Sequence, residues 1–335
     1  MEKRKILVTG GTGYIGSHTV VELIEAGYEV EILDNLYNSK LEVLDNIEKI
    51  TNTRPKFYQV DLCNKDAAEK VFAENKFQTV MHFAGLKAVA ESVREPLKYY
   101  ENNVGGTFNL LDAMLKHNVN EIIFSSSATV YGVQKTPKYV ETMTTGTHIS
   151  SPYGKTKHMI EEILKDVVAS NPGFRASILR YFNPIGAHRS GLIGENPNDI
   201  PNNLMPIIMK VATGEISELS VYGNDYDTLD GTCVRDYIHV VDLAKGHLKA
   251  MEKLESGERV QVYNLGAGKG VSVLEIIKAF SKASKKALPY KVVGRRDGDL
   301  AEFYADPSRA EQDLGWKAEL TIEDAMVDTL RYLEK

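Results

Sequence analysis

The chain has 335 residues, enough for about two domains with a sizeable buried core. Apolar residues make up 43% and charged residues 26%, which excludes disordered, collagen-like and disulfide-scaffold classes. The 40 lysines and arginines stand against 46 acidic residues, a net charge of −6, so no basic excess points to nucleic acid.

In chain order, a basic start, Met1-Glu2-Lys3-Arg4-Lys5, leads into Ile6-Leu7-Val8, an apolar run too short for a secretory signal. That run predicts a strand, Tyr14 to Ala26 a helix, and Glu29 to Asp34 a second strand that ends in an acid. Lys56–Val60, Thr79–Phe83 and Glu121–Ser126 predict further strands, with helical patterns at 41–50, 65–75 and 97–117 between them. A helix at Tyr153–Ala169 and a strand at Ala176–Tyr181 close the series. The strands are apolar almost throughout, as strands buried on two faces should be. Strands alternating with helices predict a parallel sheet covered on both sides. The pattern changes after Asn183: Pro184–Pro206 is rich in Gly, Pro and Asn, and loop signals recur at 223–231. Short strands are expected at Leu219–Val221, Val260–Asn264 and Tyr290–Val293, and helices at 205–213, 240–255, 272–285 and 321–334.

No run reaches the roughly 18 apolar residues of a membrane helix. Cys63 and Cys233 make neither a metal-binding spacing nor a disulfide framework, which fits a reducing cytosol. The eight histidines show no ligand cluster, and His18, His82 and His239 read as core or motif residues, so no metal is expected. The expectation is a cytoplasmic protein that meets neither membrane nor nucleic acid.

The first strand runs into Thr9-Gly10-Gly11-Thr12-Gly13-Tyr14-Ile15-Gly16. Gly10, Gly13 and Gly16 allow a tight turn and close approach of backbone to a pyrophosphate, and the next helix aims free N–H groups at that anion. A tight strand–helix turn without a ligand shares the glycines. It does not demand Asp34, which ends the second strand at about the expected 20-residue spacing. A carboxylate there accepts from the adenosine ribose hydroxyls and repels a 2′-phosphate, which selects NAD over NADP. The fold class is thus α/β: a Rossmann-type doubly wound parallel sheet with a smaller C-terminal α/β substrate domain. Residues 1–183 are expected to bind NAD and 184–335 the substrate, with the chain free to cross between them.

Ser151-Pro152-Tyr153-Gly154-Lys155-Thr156-Lys157 opens the helix after the fifth strand, Ser151 as N-cap and Pro152 first in the helix. Tyr153 and Lys157, four apart, share a face, while Lys155 points elsewhere. A free tyrosine has a pKa of about 10, and a nearby ammonium or charged nicotinamide would favour the phenolate, making a base for a sugar or alcohol hydroxyl. Surface Tyr/Lys pairs at this spacing are common, so the pair gains meaning from its surroundings. Ser125-Ser126-Ser127 ends the fifth strand, where open α/β sheets bind ligands; one of these serines can bond the reacting hydroxyl, although serines also begin turns.

With these pieces the chain resembles the nucleotide-sugar epimerases of the extended short-chain dehydrogenase/reductase family. The resemblance runs from Thr9 to about Trp316 and rests on longer motifs: Asp34-Asn35-Leu36-Tyr37-Asn38-Ser39, Phe83-Ala84-Gly85-Leu86-Lys87 and Arg180-Tyr181-Phe182-Asn183-Pro184. Ile200-Pro201-Asn202-Asn203-Leu204 and Val234-Arg235-Asp236-Tyr237-Ile238-His239-Val240 extend it. It implies reversible inversion at C4 of UDP-galactose and UDP-glucose around a retained NAD. Tyr153 with Ser127 takes the proton of the sugar 4-OH, and a 4-keto sugar turns over and is reduced on its other face. It implies a cofactor site lined by Tyr14, Ile15, Asp34, Asn35, Asn38, Ser39, Asp61, Leu62, Phe83, Ala84, Gly85, Lys87, Asn102, Ser127, Tyr153, Lys157 and Phe182. For the UDP-sugar it implies Lys87, Asn183, Asn203, Leu204, Tyr222, Arg235, Arg296, Asp299 and Phe303, with the arginines suited to the diphosphate.

Phe303 stands at a position that varies in this family: a small residue admits N-acetylated sugars and a bulky one excludes them, so poor use of UDP-N-acetylglucosamine is expected. Ala128 and Thr129 stand where related dehydratases carry an Asp-Glu pair, which argues against 4,6-dehydration. A 4-epimerase of another UDP-sugar, such as a pentose, and a non-enzymatic NAD-binding regulator are the remaining alternatives. The stripe Leu97, Tyr100, Val104, Phe108, Leu111 and Leu115 reads as core, while the resemblance implies a homodimer through this helix and the Tyr153 helix.

Overall fold

The computed structural model describes residues 4–198, 203–296 and 298–335, so Met1–Lys3 and Ile200, Pro201 and Asn202 of the motif above lie outside the described residues. From the N-terminal side come β1 (Lys5–Thr9), α1 (Tyr14–Glu25), β2 (Glu29–Asp34), α2 (Glu42–Thr51), β3 (Lys56–Gln59), α3 (Lys65–Ala73) and β4 (Thr79–His82). Next are α4 (Val89–Arg94), α5 (Pro96–Tyr99), a π-helical turn at Tyr100–Gly105, α6 (Gly106–Lys116) and β5 (Glu121–Ser125). A short 3-10 turn (Ala128–Tyr131), β6 (Lys138–Tyr139), α7 (Pro152–Ser170) and β7 (Arg175–Tyr181) follow. The second half holds β8 (Asn183–Ile185), α8 (Leu204–Ala212), β9 (Leu219–Tyr222), β10 (Val234–His239), α9 (Val240–Leu254) and β11 (Val260–Leu265). It ends with β12 (Gly270–Ser272), α10 (Val273–Ser284), β13 (Tyr290–Val293), β14 (Glu302–Ala305), α11 (Ser308–Leu314) and α12 (Ile322–Leu333).

Seven strands form one sheet in the order β11-β7-β5-β4-β1-β2-β3, and every neighbouring pair is parallel. The apolar strands explain its two covered faces. Alternate residues of β1 point opposite ways: Ile6 and Val8 join Val20 of α1 and Leu243 and Met251 of α9, while Leu7 joins Leu110 of α6 and Leu164 of α7. The strand order reverses between β1 and β4, so a crevice opens at their carboxyl ends, where such sheets bind ligands.

A second sheet runs β12-β10-β14-β6, with β8 also paired to β10, and β9 and β13 form a two-stranded parallel ribbon. Ile185, Ile208, Val221, Tyr237, Ile277, Phe280 and Met326 pack the core beneath it. Serine and threonine set two helix starts here: Ser272 with Glu275 and Thr321 with Asp324 form capping boxes on α10 and α12. Among the described residues, no helix is long and apolar enough to cross a membrane.

Three features depart from the sequence pattern. The strand expected at 260–264 in the C-terminal unit is the edge of the large sheet, with Val260 beside Ala176 and Leu265 beside Tyr181. The helix before it, α9, packs on α1 of the first half. Local pattern reveals a strand but not its partner. The helix expected over 97–117 is broken by the π turn, where Asn103 leaves the helix surface to bond Leu86. The stripe on it is not uniform core either, because Leu97 is 79% and Phe108 52% exposed.

Candidate active site

Each glycine of the first turn has a steric reason. Gly10 has φ +71°, and a Cβ there would stand 2.6 Å from the Ala84 amide nitrogen. A Cβ at Gly16 would stand 2.2 Å from the Gly10 carbonyl oxygen. Gly13 begins α1 without any side-chain cap, so the first-turn amides are left for an anion. Tyr14 and Ile15 follow in the same cleft wall.

Asp34, at the end of β2, is 8% exposed. Its carboxylate accepts from the Thr12 amide at 3.2 Å, the Leu36 amide at 2.9 Å and the Ser39 hydroxyl at 3.3 Å. Next to it, burial pushes the Asp61 carboxyl up, but the Asn35 amide at 2.9 Å and the Cys63 N–H at 2.8 Å hold it below the usual range.

The proton-handling group is set by β5 and α7. Ser151 caps α7, accepting from the Gly154 amide at 3.2 Å, and Pro152 takes the first helical position. This places Tyr153 and Lys157 over the end of β5. Ser127 Oγ accepts from the Thr129 amide at 3.2 Å and the Thr129 hydroxyl at 3.0 Å. Both its lone pairs are engaged, so its own O–H is left to donate. Lys157 is 5% exposed, donates to the Ser125 carbonyl at 2.7 Å, and has Nζ 6.0 Å from the centre of the Tyr153 ring. Burial lowers the Lys157 pKa to about 8, with the Glu161 charge opposing it.

The expectation for Tyr153 combines a lysine with a bound nicotinamide, and the chain alone supplies the first of these. Burial raises the Tyr153 pKa, and only a hydrogen bond with Ser127 works in the other direction. One Lys157 N–H is used by the Ser125 carbonyl, and the ammonium charge stays close to the Tyr153 ring.

Across the cleft, Arg296 stacks on Tyr222 with its guanidinium carbon 3.7 Å from the ring centre. Arg235 lies 4.7 Å over the Phe303 ring, donates to the Leu300 carbonyl at 2.7 Å, and reaches Asp299 at 3.4 Å. Phe303 packs against Tyr139 and Phe182, each with ring centres 5.7 Å apart. Lys87 pairs with Glu195 at 2.8 Å, and the Asn203 amide donates to the same carboxylate oxygen at 3.1 Å.

One cleft of about 2170 Å³ brings together all the expected residues. The glycine turn, Asp34, Asn35, Asn38, Ser39, Asp61, Leu62 and Phe83 to Gly85 line it. So do Lys87, Asn102, Ser127, Tyr153, Lys157 and Phe182, and, from the second half of the chain, Asn183, Asn203, Leu204, Tyr222, Arg235, Arg296, Asp299 and Phe303. Sequence reasoning missed Thr129, Tyr139 and Glu195, which also line it. Glu195 carried a weak signal, a lone acid in the Gly/Pro/Asn-rich stretch. Among the described residues, no group of His, Cys, Asp and Glu could hold a metal ion.

A dinucleotide-type crevice at the sheet's switch point, next to a Ser–Tyr–Lys group, defines an enzyme class that moves hydride and proton on a hydroxyl. The chain belongs to the NAD dependent epimerase/dehydratase family, whose model matches residues 6–266. It is 54% identical over 327 residues to a UDP-glucose 4-epimerase of Bacillus subtilis, covering 98% of this chain and 96% of that one. A UDP-glucose 4-epimerase of Haemophilus influenzae is 55% identical over 324 residues, covering 97% and 96%. Among solved structures, the UDP-glucose 4-epimerase from Bifidobacterium longum in complex with NAD+ and UDP superposes with a TM-score of 0.95 at 52% identity, covering 98% of both chains.

Proposed function

We propose that this chain catalyses reversible inversion at C4 of the sugar in UDP-galactose and UDP-glucose, with NAD retained through the cycle. The observation that carries the proposal is the meeting of Ser127, Tyr153 and Lys157 in one cleft with the glycine turn and Asp34 on one side and Arg235 and Arg296 on the other. Full-length likeness to enzymes named UDP-glucose 4-epimerase supports the hexose reading.

The residues fit NAD. Side-chain-free Cα atoms and the uncapped start of α1 suit a pyrophosphate, and Asp34 suits ribose hydroxyls while repelling a 2′-phosphate. When bound, NAD supplies a reversible hydride acceptor for the sugar C4, and its positive ring adds a second charge that favours the Tyr153 phenolate. Tyr153 takes the proton of the 4-OH with Ser127 donating to its oxygen, and later returns it. Loss of that proton and of hydride leaves a 4-keto sugar; hydride then returns to the opposite face of C4 and the proton to O4.

Such a sugar must turn within the cleft, so grip belongs to the nucleotide. Arg235 and Arg296 hold the diphosphate. Tyr222 and Asp299 serve the uridine, and Lys87, Asn183, Asn203 and Leu204 complete the pocket. Phe303 packs against Tyr139, Phe182 and Arg235, and in this reading its bulk is what excludes an N-acetyl group. In this reading residues 1–183 bind NAD and 184–335 the UDP-sugar. The exposed Val89, Val93, Leu97, Phe108 and Met159 support a homodimer through α4 to α7. Cys63 and Cys233, both free thiols, fit a cytoplasmic site.

The test adds UDP-galactose to purified protein without added NAD and follows the H4 and anomeric protons by NMR. UDP-glucose accumulating to a steady ratio with no net NADH is expected, and Tyr153→Phe should abolish it. No product, even with NAD supplied, overturns the proposal.

A further inference from the structure

The stretch from Gly186 to Asn198 runs from β8 back to the first half of the chain, and its residues 191–197 line the cleft beside the glycine turn and the 34–39 segment. Its outer side is seated on α12. A Cβ at Gly194 would stand 2.7 Å from the Tyr332 ring, and one at Gly191 2.7 Å from the Arg331 carbonyl. Its inner side is tied to the first half along its length. The Tyr14 hydroxyl donates to the Gly186 carbonyl at 2.7 Å and the Asn46 amide to the Leu192 carbonyl at 3.1 Å. Lys87 meets Glu195 at 2.8 Å, and Glu195 is itself only 5% exposed.

Asn198 makes the next ties to the first half. Its backbone N–H donates to Asn38 Oδ1 at 2.7 Å. Its side-chain amide donates to the carbonyls of Tyr37 at 3.4 Å and Ser39 at 3.2 Å. Ser39 in turn bonds Asp34 at 3.3 Å and shares a hydrogen bond with Thr12 at 2.7 Å. The Asn198 amide therefore fastens the very loop whose Ser39 fixes the ribose-binding carboxylate.

We propose that residues 186–198 are a strap over the NAD groove, and that Asn198 and Glu195 are the positioning residues that keep the cofactor from leaving. The inference rests on the NAD reading above. A dinucleotide held by the glycine turn and Asp34 would share its cleft with chain that is anchored on α12 at one side and clasped to the 37–39 loop and Lys87 at the other. Release requires both clasps to open together, so the clasps act on the dissociation rate rather than on first contact. The backbone bond of Asn198 survives any side-chain change, so a substitution there reads the side-chain amide alone.

The experiment loads wild type, Asn198→Ala, Asn198→Asp and Glu195→Gln with isotopically labelled NAD, chases with excess unlabelled NAD, and follows bound label with time. The expected result is release about tenfold faster from Asn198→Ala, equivalent to about 1.4 kcal/mol. Asn198→Asp should release faster still, because its carboxylate faces two carbonyl oxygens, and Glu195→Gln should also exceed wild type. Thermal midpoints of the four NAD-free proteins are measured alongside. Equal release from all four proteins overturns the strap, and so does release that merely follows loss of thermal stability. Wild-type protein that binds no label at all overturns the cofactor reading instead.

Discussion

The phenol of Tyr153 is pushed toward its protonated form by burial and away from it by Ser127. Lys157 is the fixed charge nearby, and its pKa is lowered by burial to about 8. Its ammonium form therefore prevails below that pH and is lost above it. Turnover is expected to fall on the alkaline side with an apparent pKa near that value, and Lys157→Met should lower the plateau and remove that limb. A profile of kcat from about pH 6 to about pH 10 checks this; an alkaline limb that persists in Lys157→Met counts against it. Phe303 carries the second expectation at this scale. Phe303→Ser removes a ring packed on Tyr139 and Phe182 and should create measurable turnover of UDP-N-acetylglucosamine, assayed by formation of its C4 epimer. No gain sinks the idea that this ring closes the pocket. These residues were legible because each lies in a contiguous motif. Glu195 was not, since it meets Lys87 and Asn203 only once the chain has folded. Spacing likewise shows that a lysine is near Tyr153, but not that its ammonium donates to the Ser125 carbonyl.

Behind the cleft, a buried ion pair joins α7 to the sheet. Arg180 of β7 binds Glu161 of α7 through two bonds of 2.9 and 2.6 Å, and Ser126 donates to the same carboxylate at 2.5 Å. Glu161 has no exposed surface and Arg180 is 3% exposed. Arg180→Met alone leaves a buried charge unpaired and should cost about 3–5 kcal/mol, read from the urea midpoint. Adding Glu161→Gln should recover part of that loss, because neither charge is then left alone; additive losses would show that the two side chains act independently. Elements near the N-terminus were legible from their apolar periodicity. The short strands β6, β8, β12 and β14 were not, because two to four residues carry too little pattern and their partners are distant in sequence. The π turn escaped too, since helix periodicity across 97–117 gives no sign that Asn103 is drawn inward to Leu86 and Thr156.

Across the whole molecule, several histidines are buried in their neutral form. Burial lowers the pKa of His18 and His82 to about 3 and that of His247 to about 4. An unfolded histidine titrates near 6.5, so below that pH the unfolded chain binds protons that the folded one refuses. Burial lowers His188 and His239 to about 4 as well, so stability is full above about pH 6.5 and is lost as pH falls toward the folded values, each of the five groups contributing about 1.4 kcal/mol per pH unit at the steepest. Urea midpoints should drop sharply between about pH 6.5 and about pH 5, and His247→Phe should lessen the slope by roughly one fifth. A midpoint that is flat over that range contradicts this account.

The return of β11 to the edge of the large sheet has a consequence for inheritance and engineering. The C-terminal half lends α9 and β11 to the cofactor-binding part, while the first half lends β6 to the sheet that carries Phe303. A fragment ending at residue 183 would leave β7 with an open, unpaired edge, a template for aggregation, and would strip α1 of the helix that covers it. The two parts are therefore not modules that recombination could trade at one junction. A sugar pocket grafted from another scaffold would have to be spliced in at several places at once, so new substrate preference is more readily reached by point changes such as those at Phe303 than by exchange of halves.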